Sequence, residues 1–462
     1  MRRPIANEFM ADPRIREAKK VLLQTRDEYS ARLTGVRPPD SDLKMDYERL
    51  MREYGDLRGG RLFYPYLGSG LGNGALVELA DGSVKYDFIS GIGVHHWGHS
   101  HAAIMEASLD AALSDTVMQG NLQQNVESVE LARTLLEGGN RKGARLAHCF
   151  FSTSGAMANE NALKVMFQYK YPANRILAFE GCFMGRTLAL SHVTDKPEYR
   201  VGLPAGVSVD YVPYYVDERP EESTGRSLDQ LKRHLKRYPG KHAGMVFELV
   251  LGEGGFLPGN REFFRELMQV LRAHEIPILV DEIQTFGRTT ELFAFQYFGL
   301  DDFVDVVTVG KASQVCATLF TDELTPGPGL LSQTFTSSTA AIRVGRLIVR
   351  QLMDGGFLGP AGRIARFHDR FVTRLQEMEA RLPDVVHGPY GIGAMVAFTA
   401  FGGHAEKVNR FIHALFDAGV IGFYAGADPT RVRFLIPVGA VTFNDIDAAV
   451  TITENTLARM CR

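Results

Sequence analysis

Apolar runs long enough to cross a bilayer are absent from this sequence of 462 residues, which argues against a helical membrane protein. Arg2 and Arg3 lead into a polar, charged stretch where a secretion signal would carry its apolar core, so the cytoplasm is the expected location. Cysteine is scarce: Cys149, Cys182, Cys316 and Cys461 show no short paired spacing, and neither a zinc site nor a redox dithiol is expected of them. Positive charge has no surplus, since 51 Lys plus Arg face 54 Asp plus Glu for a formal charge of -3. That removes the basic surface a nucleic-acid or anionic-membrane partner would use. Internal repeats and low-complexity segments are missing as well. What remains, 45% hydrophobic and 23% charged residues, is the composition of an ordinary globular protein with room for about two or three domains. A small-molecule partner is expected.

The chain changes character along its length. Residues 14–29 are patterned as a helix, and a Gly-rich stretch, 67–74, leads into 75–79, Asp81-Gly82 and 84–89, which reads as a hairpin. Short apolar runs then alternate with helical ones: 146–151, 175–179, 207–212, 244–250, 277–280 and 304–309 as strands, with 158–169 and 261–274 among the helices. Such alternation predicts an α/β fold with a mostly parallel sheet, whose ligands bind beyond the carboxyl ends of the strands. Two segments, 217–227 and 325–329, read as surface loops. Helical pattern returns at 339–353 and 362–382, and the last hundred or so residues read as a smaller α+β unit.

The strand ends hold the chemistry. Phe151-Ser152-Thr153-Ser154-Gly155-Ala156 runs from a strand into an Ala-rich helix, a place where free backbone N–H groups bind a phosphate, although Ser and Thr also serve as plain helix caps. Pro277-Ile278-Leu279-Val280 ends in Asp281-Glu282, and a carboxylate in an apolar surrounding needs a cation or N–H donors. Val304-Asp305-Val306-Val307-Thr308-Val309-Gly310 ends in Lys311, an amine that desolvation turns into a nucleophile toward a carbonyl. Each has an innocent reading alone. Together, a phosphate cradle, an acid for a ring nitrogen and a Schiff-base lysine are what pyridoxal 5'-phosphate requires.

With Phe179-Glu180-Gly181-Cys182-Phe183-Met184-Gly185-Arg186-Thr187, Gly252-Glu253-Gly254-Gly255, Asp281-Glu282-Ile283-Gln284-Thr285 and Phe286-Gly287-Arg288-Thr289, these stretches resemble the class III aminotransferases in order and spacing from about residue 76 to 438. The resemblance implies fold type I: a large cofactor domain over 61–340, a smaller α+β domain over 341–462, and an N-terminal segment, 1–60, packing with the small domain. It implies that Lys311 holds pyridoxal phosphate as a Schiff base and moves the proton, and that Asp281 pairs with the ring nitrogen. Ser154, Gly155 and Ala156 would bind the phosphate, Phe183 and Ile283 would flank the ring, and Gln284 would lie near its hydroxyl. Thr334 looks like the threonine that reaches the neighbouring subunit's phosphate, which implies a homodimer with shared sites.

Arg186 and Arg433 match carboxylate-binding positions, and Glu253 matches the glutamate that pairs with the second arginine and frees it for a keto acid. The competing reading of Arg433 is the outward residue of an alternating strand. Ile92, in Ser90-Gly91-Ile92-Gly93, falls where ornithine enzymes carry a tyrosine, which favours N-acetylornithine or 4-aminobutyrate as donor. The expected reaction is therefore transfer of an amino group from an ω-amino acid to 2-oxoglutarate. An aminomutase, a decarboxylase and a non-catalytic paralogue are the alternatives on the same fold. His95, His96, His99 and His101 crowd a turn without completing a ligand set, and no metal site is expected. The sequence departs from the family at Met157, Met184, Leu249, 312–316 and 336–338, and lacks a residue between Thr285 and Phe286. At 312–316 and 336–338 larger residues stand where the family has glycines near the expected cofactor site.

Overall fold

The computed structural model describes residues 4–115, 117–118 and 120–461; Arg2 and Arg3 lie outside them. The chain divides into two compact units. The larger, residues 115–365 with 391–393, is built on a seven-stranded sheet. Its strands are β1 (Leu146–Ser152), β2 (Arg175–Phe179), β3 (Ser208–Val212), β4 (His242–Phe247), β5 (Ile278–Asp281), β6 (Val306–Val309) and β7 (Cys316–Thr321). Their spatial order is β1-β7-β6-β5-β4-β2-β3. All pairings are parallel except the two made by β7, which runs antiparallel to both β6 and β1. The predicted strands are all present, while β7 has no counterpart in the pattern reading.

Every residue of β4, β5 and β6 is buried, as parallel strands covered on both faces must be. Five helices of this unit matter for the site: α1 (Val126–Gly139), α2 (Gly155–Tyr169), α3 (Pro220–Arg237), α4 (Arg261–Ala273) and α5 (Thr339–Asp354). The acidic stretch 217–227, expected to be a loop, instead enters α3. Pro220 stands at its first helical position, Glu221 and Glu222 fill the first turn, and Ser223, Ser227, Leu231 and Leu235 form a buried stripe at fourfold spacing. Proline at that position forfeits no hydrogen bond, and the acids favour the helix start.

The second unit takes the residues up to 114 together with 366–390 and 394 onward. One of its sheets begins with the expected hairpin, Leu76–Leu79 against Val84–Asp87. Val420–Ile421 then adds to it in parallel, so a strand from late in the chain completes an early sheet. A second sheet orders Val386–Tyr390, Met395–Ala400, Arg431–Leu435 and Phe423–Ala425 as antiparallel neighbours. The division therefore differs from the boundaries expected at 60/61 and 340/341. Residues 61–114 go with the C-terminal unit through that parallel pairing. Residues 341–365 stay with the larger one, where α5 lies along α1 through the ion pairs Arg343–Glu127 and Arg350–Glu137, the latter at 3.0 Å.

Helix α5 also braces the turn after β6. Gly345 lies so close to the Ser313 carbonyl that an added Cβ would collide with it. Gly345→Ala is expected to lower the unfolding free energy by about 1–3 kcal/mol, the usual cost of overpacking. Chemical denaturation of the cofactor-free protein reads this, and unchanged stability would contradict the close packing.

Candidate active site

At the carboxyl ends of β1, β4, β5 and β6 the large unit collects most of the residues singled out from sequence. Ser154 caps α2, its Oγ accepting from the Met157 N–H at 3.2 Å. Gly155 and Ala156 follow as the first two helical residues, and first-turn N–H groups have no partner within a helix. Gly155 also lets Ile283 approach, since a Cβ there would stand 3.0 Å from the Ile283 Cγ2.

Asp281, the last residue of β5, is 6% exposed. Its Oδ1 accepts from the Ile283 N–H at 2.8 Å, and its Oδ2 from the Asn159 side-chain amide at 2.8 Å. Burial raises its pKa to about 6, against the hydrogen bonds from Ile283 and Asn159 and the nearby positive charge of Lys311. Asn159 has no freedom to turn over. Its Nδ2 also donates to the Met184 carbonyl at 2.9 Å, and its Oδ1 accepts from the Thr308 hydroxyl at 2.7 Å. The buried Asn159 on α2 is thus a site residue that the sequence reading missed. Its only signal is a polar side chain on the inward face of an apolar helix.

Lys311 follows β6 and adopts φ +50°, a left-handed conformation costly for a residue with a Cβ. Gly310 beside it is hemmed in: an added Cβ would meet the Cys316 Sγ at 2.9 Å and the Ile283 Cδ1 at 3.0 Å. Gln284 is buried with its Oε1 lacking a hydrogen-bond partner, and a Cβ on Gly252 would fall onto that atom. An orphaned buried acceptor calls for a donor that the chain does not itself supply.

Two further carboxylates share this end of the sheet. Glu248 accepts from the Phe183 N–H at 2.6 Å and the Gly252 N–H at 3.2 Å, tying the segment carrying Phe183 to the one carrying Glu253. Burial first, then the charge of Asp281, raises it to about 8. Glu282 accepts from the Thr285 hydroxyl and, at 2.9 Å, from the Phe295 N–H, and burial raises it to about 7.

The remaining predicted residues are more spread out. Arg186 is exposed, donates to the Tyr199 hydroxyl at 3.1 Å and has its guanidinium carbon 5.9 Å from the centre of the Phe183 ring. Thr334 is exposed beside Phe335, itself 62% exposed. Among the departures, Met184 is held by its main chain, whose N–H donates to the Thr194 hydroxyl at 2.9 Å, and Ser338 caps α5. Ile92 and Arg433 belong to the other unit, whereas Glu253 belongs to this one. Arg433 is fully buried within a strand of which every residue is buried, so its reading as an outward, solvated residue is corrected. Ile92 lies in a left-handed turn, Ser90 to Gly93, with φ of 48°, 65°, 56° and 84°, closed by the Gly93 N–H on the Ile89 carbonyl at 2.8 Å. A β-branched residue rarely adopts that conformation, and such strain concentrates at functional sites. His99 in the same unit is taken up by Asp87 at 3.0 Å. No group of three or more His, Cys, Asp or Glu among the described residues is placed to hold a metal.

Chemically, the strand ends of the large unit offer a helix start to an anion, a dry carboxylate to a protonated ring nitrogen, an acceptor to a hydroxyl and an amine to a carbonyl. Solved structures define the fold. A lysine aminotransferase from Mycobacterium tuberculosis, described in its internal aldimine form, matches with a TM-score of 0.75 and 24% identity over 84% of this chain and 93% of that chain. The fold is that of the fold type I, pyridoxal-phosphate-dependent enzymes. The family model "Aminotransferase class-III" matches residues 69–457, and the chain belongs to that family of pyridoxal-phosphate-dependent transaminases. Similar curated proteins are an acetylornithine aminotransferase of Listeria innocua, 29% identical over 84% of this chain and 94% of the relative, and a succinylornithine transaminase of Photorhabdus laumondii, 28% identical over 84% and 92%.

The buried acids set a pH dependence. Asp281, Glu282 and Glu248 keep their protons to about 6, 7 and 8 in the folded chain, while unfolded carboxyls titrate near 4. The folded state therefore binds the extra protons across that window, and the stability these groups contribute is lost as pH rises through it. Glu248→Gln is expected to weaken that fall between about pH 5 and about pH 9 in the cofactor-free protein. Denaturation curves at several pH values read it, and equal slopes for variant and wild type would contradict the assignment.

Proposed function

We propose that this chain transfers an amino group from an ω-amino donor, of the N-acetylornithine or 4-aminobutyrate kind, to 2-oxoglutarate. The observation that carries the reading is the buried Asp281 at the end of β5 with the amine of Lys311 at the end of the neighbouring strand. The donor class draws on the names of the acetylornithine and succinylornithine relatives and on an aliphatic side chain at Ile92.

The residues present fit pyridoxal phosphate. Burial still raises Asp281 despite the nearby charge of Lys311, and a protonated ring nitrogen would supply a further cation to offset it. The orphaned Gln284 Oε1 suits the ring hydroxyl as donor, and the N–H groups of Gly155 and Ala156 suit the phosphate. Phe183 and Ile283 would flank the ring. The cofactor supplies the electron sink that stabilises a carbanion at the donor carbon. Lys311 would hold the cofactor through its amine and, when that amine is free, would carry the proton at the donor carbon. Arg186 receives a substrate carboxylate. For Arg433 and Glu253 the proposed roles, a carboxylate-binding cation and an acid that competes for it, rest on the match to the family's positions and on the charges of the two groups.

The same reading makes the enzyme a homodimer in the cytoplasm, with Thr334 serving the phosphate site of the neighbouring subunit. The exposed Thr334 and Phe335 support a subunit contact there. No described helix is long and apolar enough to cross a membrane.

Absorption spectra test the reaction. A visible band after loading with pyridoxal phosphate should be bleached by one of N-acetylornithine, 4-aminobutyrate, ornithine, lysine or glutamate and restored by 2-oxoglutarate. Lys311→Ala should lack both band and turnover. Bleaching with product release but no need for a keto acid would instead indicate a mutase or decarboxylase. For the arginine pair, Glu253→Ala is expected to slow ω-amine donors far more than glutamate, measured as the ratio of their kcat/KM values. An unchanged ratio contradicts the division of roles.

A further inference from the structure

The turn that carries Lys311 is built differently from a glycine-rich one. It reads Gly310-Lys311-Ala312-Ser313-Gln314-Val315-Cys316, and two of its non-glycine residues, Lys311 at φ +50° and Gln314 at φ +60°, adopt left-handed conformations. Something must hold them there, because residues with a Cβ relax out of that region when free to do so. The Lys311 carbonyl accepts twice from the same residue: from the Gln314 main-chain N–H at 3.0 Å, closing the turn, and from the Gln314 side-chain Nε2 at 3.2 Å. On the other side the Lys311 N–H meets the Cys316 thiol, which also lies against Gly310. Ser313 is fixed in turn, its hydroxyl donating to the Val315 carbonyl at 2.7 Å.

We infer that Gln314 is a positioning residue for the lysine: its side-chain amide clamps the Lys311 carbonyl and so sets the direction in which the lysine side chain leaves the main chain. A glycine at 314 would accept the left-handed conformation without strain but would bring no second donor. The chain has exchanged backbone tolerance for a side-chain hydrogen bond, and only the lysine's own torsions are left to move between holding the cofactor and carrying a proton. The inference rests on the reading of Lys311 as the cofactor-bearing amine.

Two variants separate the clamp from mere folding. Gln314→Gly keeps the backbone conformation and removes the amide. Gln314→Glu keeps the size and removes the donor. Both are expected to melt cooperatively. In cofactor-free protein, maleimide labelling of Cys316, followed on its own peptide by mass spectrometry, should speed up several-fold in both, because the turn that covers the thiol loosens. In the loaded protein, the pH at which the visible band titrates should shift in both, and kcat should fall by about tenfold, the scale of one lost hydrogen bond, with the donor KM little changed. Wild-type values in both variants for labelling and for the titration would overturn the inference. A change in Gln314→Glu alone would overturn it as well, since the added charge and not the missing bond would then be acting. A wild-type protein without a visible band would be a failure of the lysine reading, which the labelling experiment, read without cofactor, distinguishes.

Discussion

A carboxylate taken out of water is the constraint around which the large unit is arranged. Asp281 ends the strand in the middle of a buried parallel sheet, where its charge has no solvent to lean on. Its two oxygens are met by one main-chain N–H and one side-chain amide, enough to hold its orientation and too little to cancel its desolvation. The shortfall is useful. A protein that leaves an acid partly uncompensated at the bottom of a site has made that site selective for a cation of matching shape, and a protonated ring nitrogen is such a cation.

The supports of that acid extend through the fold. Asn159 is fixed by Thr308 from β6 and by the main chain at Met184, so helix α2, strand β6 and the segment after β2 all converge on one amide. Glu248 performs a similar service between the segments of Phe183 and Gly252, and Glu282 ties its own turn to the start of the segment at Phe295. Burial raises all three acids, and the charge of Asp281 adds to the cost of ionising Glu248 and Glu282, an unfavourable arrangement that a bound cation relieves. Lys311 answers from the adjacent strand, held in a conformation that packing and hydrogen bonding impose upon it.

Much of this was legible in the sequence because parallel strands announce themselves. Buried runs such as Ile278 to Val280 end abruptly in chemistry, and the residues just past them, Asp281, Lys311 and the Ser154-Gly155-Ala156 cradle, fall at the strand ends in the structure. What stayed hidden depends on pairing across long separations. Strand β7 follows the lysine turn with no helix between, and an antiparallel return of that kind leaves no crossover signature. Asn159 and Thr308 are 149 positions apart, and nothing local to either discloses the other. The acidic start of α3 imitated a loop because Pro and Glu are turn-like in composition yet well suited to a helix start. Residues 61–114 fall with the C-terminal unit through partners over three hundred positions away, among them Val420–Ile421 beside Tyr86–Asp87 and Tyr64 on the Gly422 carbonyl, which no local pattern discloses.

The measurement that bears most directly on the account is the affinity for pyridoxal phosphate of Asp281→Asn against wild type across about pH 6 to about pH 9. The substitution preserves shape and removes the buried charge, but turns one of the two acceptors that meet Ile283 and Asn159 into a donor, so affinity is compared only in variant protein shown to be folded. If the acid exists to hold a protonated ring, binding should weaken by about ten- to a hundredfold, the scale of a lost charged hydrogen bond. Equal affinity at every pH in a folded Asp281→Asn would contradict the account, since the uncompensated carboxylate would then have no part in holding the cofactor.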